Sequence, residues 1–350
     1  MNYYFKFFLK LILEIIPNEV IEENSYFLYE DCSKLHRFFD NMKNLTKFRK
    51  LFTHFRGFRM ASNLLEDLYS KNILSRIMVA HIYGFNNTFV SPKVYEFWNK
   101  IRVDFFFKLK QEKETLISGS YNLQLYDLNK IGIPVKLFNN DVIISYIFLL
   151  QQYKYDHKKV IEACEGDVVL DGGGCFGETA LYFATKVKEL GRVYTFEFID
   201  SNIKTLRKNL SLNPKLEEII ELIEIPLWSK SDQNMYILED GTGSKIEFQP
   251  SRRSSKTIKT ISIDDFVKRN NIQKVDFIKM DIEGAEPEVL LGAKETLARF
   301  KPKLAISVYH DLEHYYRIPQ FINSLNLNYK FYLDHYSIRR AESVLFAVVE

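Results

Sequence analysis

The chain has 350 residues, 46% of them hydrophobic and 27% charged, a globular composition with room for one large α/β domain and a smaller one. A net charge of +3 is too mild to argue for nucleic acid as a partner. Three cysteines (Cys32, Cys164 and Cys175) are an odd number without metal-like spacing, which argues against a disulfide framework and for a reducing, cytoplasmic setting.

Tyr3 to Pro17 is apolar, but Lys6, Lys10 and Glu14 interrupt it on one helical face, so no run there is long enough for a transmembrane segment. No small-residue cleavage site follows. The segment reads as an amphipathic helix docked on the protein, with peripheral membrane contact through residues 3–16 as the sharper alternative. Lys47, Arg49, Lys50, His54, Arg56 and Arg59 alternate with Phe48, Phe52, Phe55 and Phe58, the pattern of a solvated helix face with aromatics inward rather than a nucleic-acid patch. Leu64, Leu65, Leu68, Tyr69, Ile77, Met78 and Ile82 suggest helices with one apolar face. Phe105–Lys113 reads as helical, Gly132–Phe138 as a strand, and Val142–Gln152 as a helix. Residues 1–150 thus form a mainly helical N-terminal region without a chemical motif, suited to substrate or partner contact.

From residue 151 to 350 strands alternate with helices, the mark of an α/β fold with a parallel sheet covered on both faces. The first strand runs Val168–Asp171 into Gly172-Gly-Gly-Cys-Phe-Gly177, a tight turn that opens the helix Glu178–Leu190. Gly172, Gly174 and Gly177 satisfy the dinucleotide fingerprint G-x-G-x-x-G, and Glu197 lies 20 residues beyond Gly177, where a ribose-binding acid is wanted. The amides at such a helix start form an anion site. Asp171 speaks against a pyrophosphate there, because a carboxylate at the end of the strand repels phosphate. It favours S-adenosylmethionine, which carries an amino group and a sulfonium and no phosphate. On that reading Asp171 meets the methionine end directly or through water, the amides after Gly173 face the cofactor, and Glu197 takes the ribose hydroxyls. The alternative is that Asp171 only caps the following helix.

Strand two is Val193–Glu197, followed by helix Asn202–Leu210 and strand three, Ile219–Pro226. Met235–Leu238, Gly241-Thr-Gly-Ser244 and Lys245–Phe248 read as a hairpin. Ser251–Lys256 is a charged loop whose Arg252 and Arg253 would hold a phosphate or carboxylate on a phosphorylated or nucleotide-linked acceptor, unless the loop is merely solvated. Ile263–Arg269 is a short helix, Asp276–Asp281 strand four, Leu304–Val308 strand five, and Pro319–Leu325 helical. Two alternating strands, Tyr329–His335 and Ser343–Val349, close the chain. A terminal strand pair is unlike the two-halved dinucleotide fold. It is similar to the Rossmann-like, seven-stranded sheet of class I methyltransferases.

The second decisive stretch is Val275-Asp-Phe-Ile-Lys-Met-Asp281-Ile-Glu283-Gly-Ala-Glu286, whose acids fall at the carboxyl edge of strand four. Together with Asp171–Thr179, Tyr194–Phe198 and Ala305–His310, in that order, it resembles the FkbM family of S-adenosylmethionine-dependent methyltransferases across residues 150–350. Cys175 stands where many class I members carry a small residue or Asn. It is small enough for the turn, and its thiol reads as packing rather than as a nucleophile.

The resemblance implies O-methylation of a hydroxyl on a sugar, glycan or related natural product, as in polysaccharide biosynthesis. Asp171, Gly172, Gly173, Cys175, Gly177, Glu178, Thr179, Glu197 and Phe198 are then the cofactor-binding residues. His310 is the candidate general base, with Asp281 and Glu283 to orient it or hold the acceptor hydroxyl; a surface histidine and turn-forming acids are the plainer readings. The same three residues could take a divalent ion, a reading not favoured because His310 stands where such sites use an acid, so no metal is assigned. Lys279 is expected to pair with an acid inside the fold. The rivals are a nicotinamide-dependent oxidoreductase, on the literal fingerprint, and a non-catalytic adapter built on a methyltransferase fold.

Overall fold

A computed structural model describes residues 45–85, 88, 90–101, 103–238, 245–247 and 254–350. Tyr3–Pro17, the turn Gly241–Ser244, and Arg252 and Arg253 lie outside the described residues. No described helix is long and apolar enough to cross a membrane.

The central sheet has seven strands: β1 (Val168–Gly172), β2 (Arg192–Phe196), β3 (Ile220–Ile223), β4 (Phe277–Met280), β5 (Lys303–Ser307), β6 (Tyr329–His335) and β7 (Ser343–Val349), in the order β6-β7-β5-β4-β1-β2-β3. β1 runs parallel between β2 and β4, β2 continues to β3 and β4 to β5, and β6 is antiparallel to β7. This mostly parallel sheet, with helices between its strands and a helical region before it, is the class I methyltransferase architecture. The chain leaves β1 on one side for β2 and returns on the other as β4, so a crevice opens at their carboxyl ends.

By internal contacts the chain divides into two compact units. The first comprises residues up to 100, 155–160 and 307–350. Its helix Leu45–Leu64 buries Phe58 against Tyr315 and leaves Arg56 and Arg59 exposed, as the alternation of basic and aromatic residues implied. A Cβ at Gly57 would lie 2.5 Å from the Tyr316 ring, which is why this helix carries a glycine. Leu65 bridges to Phe331, and the Glu66 amide donates to the Phe331 carbonyl at 2.9 Å, so the N-terminal segment covers the otherwise open edge of β6. Helix His314–Ser324 begins earlier than expected and contains Pro319 in its interior.

The second unit holds residues 101–154 and 161–306, hence β1 to β4 and nearly all of β5. Helix α1 (Glu178–Val187) follows β1, and α2 (Asp200–Ser211) follows β2. Val169, Leu170, Phe183, Phe277, Ile278 and Leu304 are sealed in its core. Residues Phe105–Lys113 do not form a single helix. Helix Val103–Leu109 gives way to strand Lys110–Ser118, which joins Tyr121–Asp127 and Lys136–Asn139 in an antiparallel meander. Leu123, Leu125 and Phe138 of the meander share a core cluster with Phe176 of the glycine turn, and that distant partner makes the strands stable. Val142–Gln152 is likewise broken: a short helix, Asp141–Ile144, capped by Asn140, widens into a π turn over Ser145–Leu149. Asn234–Leu238 pairs with Lys245–Glu247 as the hairpin reading required, but Ser254–Lys259 adds a third strand, so Ser254–Lys256 is not loop.

Candidate functional site

In the parallel pairing of β1 with β4, Asp171 stands opposite Lys279, and both side chains turn into the protein. Lys279 Nζ is 3.0 Å from Asp171 Oδ1 and donates to the carbonyls of Gly172 at 3.0 Å and Gly173 at 2.7 Å. Asp171 Oδ2 accepts from Thr179 Oγ1 at 2.7 Å and Thr195 Oγ1 at 2.9 Å. Burial works to discharge the lysine, but the charges of Asp171 and Asp281 outweigh it and hold its pKa above the ordinary value. Lys279 therefore pairs with an acid, as the sequence suggested. The expected contact of Asp171 with a cofactor is revised, because its carboxylate is 0% exposed and committed to three partners. It does not cap α1 through the backbone either, since α1 begins after Gly177 without a side-chain cap.

The turn can be built only from glycine at its critical positions. Gly173 has φ +85°, and a Cβ there would lie 2.0 Å from the Asp281 carbonyl oxygen. At Gly174 a Cβ would meet Thr195 Oγ1 at 2.3 Å. The amides are not a vacant anion hole. Those of Gly173 and Gly174 donate to the Phe196 carbonyl at 3.1 and 2.9 Å, and that of Gly177 to Gly174 at 2.7 Å. The Phe176 amide donates to Glu178 Oε2 at 3.1 Å, and the Cys175 amide to the Glu197 carboxylate. The expectation that these amides face a ligand is corrected accordingly: the protein's own acceptors occupy them.

Two acids of the cofactor set crowd this turn. Glu178 is buried at the start of α1, and burial pushes its carboxyl up to about 7 despite the backbone amides and Lys279 that favour its charge. Glu197 closes β2 and accepts from the amides of Phe198 at 2.7 Å and Ile199 at 2.8 Å and from Asn202 Nδ2 at 3.2 Å. Burial raises its carboxyl too, and those donors oppose the rise. Burial and the charges of Glu178 and Glu197 push the Cys175 thiol up, so it stays protonated and packs against the cluster of Leu123, Leu125, Phe138 and Phe176. Thr179 belongs to the Asp171 network, while Gly173, Cys175 and Phe198 keep part of their surface open. Asp171 is paired with the ammonium of Lys279, while Glu178 and Glu197 add further carboxyls around the turn. Such a surroundings disfavours a pyrophosphate and suits a cationic ligand.

Asp281 and Glu283 lie on the turn after β4. Asp281 Oδ2 accepts from Tyr153 Oη at 3.0 Å, a partner no sequence pattern announced. Glu283 is exposed with φ +55°, and Gly284 follows at φ +99°, so these residues shape a sharp turn. Glu286 is buried and accepts from the Ile282 amide at 2.9 Å, which fixes the turn from below. His310 follows β5 in the other unit, half-buried, with its ring 4.2 Å from that of Tyr309. His335, at the end of β6, is unsuited to accept a substrate proton. It is 0% exposed, its Nδ1 lies 2.7 Å from Ser343 Oγ, and burial lowers its pKa to about 4.

Residues 171–331 match the model of the methyltransferase FkbM domain. Over 147 residues the chain is 32% identical to the hexuronic acid methyltransferase AglP of Haloferax volcanii, which covers 39% of this chain and 54% of that protein. It is 24% identical over 178 residues to the 2-O-methyltransferase NoeI of Sinorhizobium fredii, covering 45% of this chain and 70% of NoeI. The chain thus spans about half the length of AglP and more of NoeI. The crystal structure of a methyltransferase FkbM from Methylobacillus flagellatus superposes with a TM-score of 0.55 at 18% identity, over 85% of this chain and 60% of that one, a likeness of fold.

Proposed function

We propose that this chain, whose residues 171–331 match the methyltransferase FkbM domain, transfers a methyl group from S-adenosylmethionine to a hydroxyl of a sugar or glycan. The observation that carries the reading is the glycine turn whose amides from Gly173 to Gly177 meet internal acceptors, with Glu178 and Glu197 among those acceptors. A dinucleotide needs those amides for its pyrophosphate, whereas a phosphate-free cation needs the carboxylates instead. Similarity to the hexuronic acid methyltransferase AglP supports a saccharide acceptor, and similarity to the 2-O-methyltransferase NoeI supports transfer to oxygen.

The residues present fit this cofactor. Glu197 closes β2 beside the turn and is assigned to the ribose hydroxyls, which would have to displace donors it already holds; Asn202 Nδ2, at 3.2 Å, lies farther from it than the Phe198 and Ile199 amides. Glu178 lends negative charge beside the turn, where Gly173 and Cys175 keep part of their surface open. Asp171 and Thr179 act behind the turn by holding Lys279 and, through it, the carbonyls of Gly172 and Gly173. S-adenosylmethionine supplies an electrophilic methyl group on a positively charged sulfur. The chain's task is to hold an acceptor oxygen in line with that methyl group, which is worth roughly 7–11 kcal/mol. His310 is the base assigned to the hydroxyl proton, and Asp281 is assigned to hold the acceptor hydroxyl, with Tyr153 fixing its carboxylate. Glu283 shapes the turn and is given no proton to move.

The reading is tested by incubating the protein with methyl-labelled S-adenosylmethionine and a panel of free sugars, uronic acids and nucleotide-linked sugars. Label recovered as a saccharide methyl ether is the expected outcome. Recovery only on a non-saccharide acceptor defeats the acceptor class, and no transfer to any acceptor defeats the activity.

A further inference from the structure

Two asparagines four residues apart, Asn209 on helix α2 and Asn213 just past its end, both point at the outer edge of the strand Lys136–Asn139. That strand ends the meander and pairs on its other side with Tyr121–Asp127, so the backbone of Lys136 and Phe138 is left over. Asn213 Oδ1 accepts from the Lys136 amide at 2.8 Å, and its Nδ2 donates to the Lys136 carbonyl at 2.6 Å. Asn209 Oδ1 accepts from the Phe138 amide at 2.7 Å, and its Nδ2 donates to the Phe138 carbonyl at 3.0 Å. A side-chain amide has the donors and acceptor of a peptide group, so the two asparagines stand in for a missing neighbouring strand.

The two differ in one contact. The remaining N–H of Asn209 donates to the carbonyl of Phe176, inside the glycine turn, at 2.8 Å, whereas that of Asn213 returns to the Asn209 carbonyl at 2.7 Å. Asn209 is 0% exposed, so it touches no solvent and no substrate. Phe176 also packs its ring with Phe138, Leu123 and Leu125, and meets the half-exposed ring of Tyr121 edge-on at 5.8 Å. The meander and the turn are therefore joined twice, by a shared apolar cluster and by one amide.

We propose that Asn209 is a positioning residue that ties the glycine turn to the edge of the meander, so that the meander acts as part of the cofactor-binding element. The role rests on the S-adenosylmethionine reading given above. Cofactor bound at the turn then stiffens the strand Lys136–Asn139, and loosening Asn209 weakens the cofactor although no atom of Asn209 meets it.

The test compares Asn209→Ser with Asn213→Ser, which lose the same strand-edge pairing but differ in the bond to Phe176. Binding of S-adenosylhomocysteine is measured by calorimetry, with thermal melting alongside. Asn209→Ser should bind about tenfold more weakly, as for one lost hydrogen bond, while Asn213→Ser with a comparable melting point binds like the unaltered protein. At saturating S-adenosylmethionine kcat should be retained and only the KM for the cofactor should rise. Equal affinities in the two variants overturn the proposal. Should either variant fail to fold, hydrogen exchange on the unaltered protein decides. The Phe138 amide should exchange more slowly when S-adenosylhomocysteine is added, and an unchanged rate overturns the proposal. If the unaltered protein does not bind S-adenosylhomocysteine at all, the cofactor reading fails and this one with it.

Discussion

Lys279 and Asp171 form an ion pair at 3.0 Å with both side chains sealed from solvent, directly beneath the glycine turn. Removing one partner of a buried pair strands the other charge and costs about 3–5 kcal/mol. Lys279→Met is therefore expected to destabilise by that order, measured by urea denaturation, and to release the carbonyls of Gly172 and Gly173. Lys279→Met with Asp171→Leu together should be less damaging than either change's cost added to the other, because the pair leaves together. Additive costs in that cycle count against a coupled pair.

The turn should tolerate nothing larger than glycine at 173. Gly173→Val places carbon where the Asp281 carbonyl oxygen already lies 2.0 Å away and imposes φ +85° on a β-branched residue. Loss of cofactor binding together with a lowered melting point is expected. Glu197→Ala, by contrast, should fold and bind S-adenosylmethionine about 1–3 kcal/mol more weakly. Unchanged affinity in calorimetry on the folded variant removes the ribose role.

How much of this was legible in the sequence follows from where each partner sits. β1, β4, β6 and β7 could be read because their apolar runs are continuous or alternate within each strand and end at acids or glycine. The glycine turn was legible for the same local reason. The first two strands of the meander were not, since Lys110–Glu114 is polar and the residue that stabilises its far face, Phe176, comes much later in the chain. The inward turn of Asp171 was hidden too, because it depends on the β1–β4 register that brings Lys279 opposite. Tyr153 beside Asp281 and the Asn209–Asn213 pair are contacts between distant segments, with no spacing to announce them.

Glu178 makes a pH signature. Its carboxyl in the folded protein titrates near 7, above the ordinary value of 4.5, chiefly because it is buried. Between those two values the folded state keeps a proton that the unfolded chain has released. Its contribution to stability is thus full below about 4.5 and is lost as pH rises through about 7. Glu178→Gln should flatten that decline in denaturation midpoints measured from pH 4.5 to 8. A cationic cofactor favours the ionised form, so S-adenosylmethionine affinity should rise with pH through the same range. A decline of equal size in Glu178→Gln assigns the titration elsewhere.

His310→Ala should lower kcat by about 10²–10⁴-fold while leaving S-adenosylhomocysteine affinity unchanged, since the imidazole is assigned to the acceptor alone. His335→Phe, in contrast, should affect stability before turnover, because its ring is fully buried and bonded to Ser343. Full turnover in His310→Ala places the base at another residue.

The choice of cofactor is settled most directly by calorimetry on the unaltered protein with S-adenosylhomocysteine and with NAD in parallel. With the turn's amides filled by Phe196, Gly174, Glu178 and Glu197, S-adenosylhomocysteine should bind and NAD should give no heat. Saturable binding of NAD, with none of S-adenosylhomocysteine, would mean that those amides open for a pyrophosphate and that the methyltransferase reading is wrong.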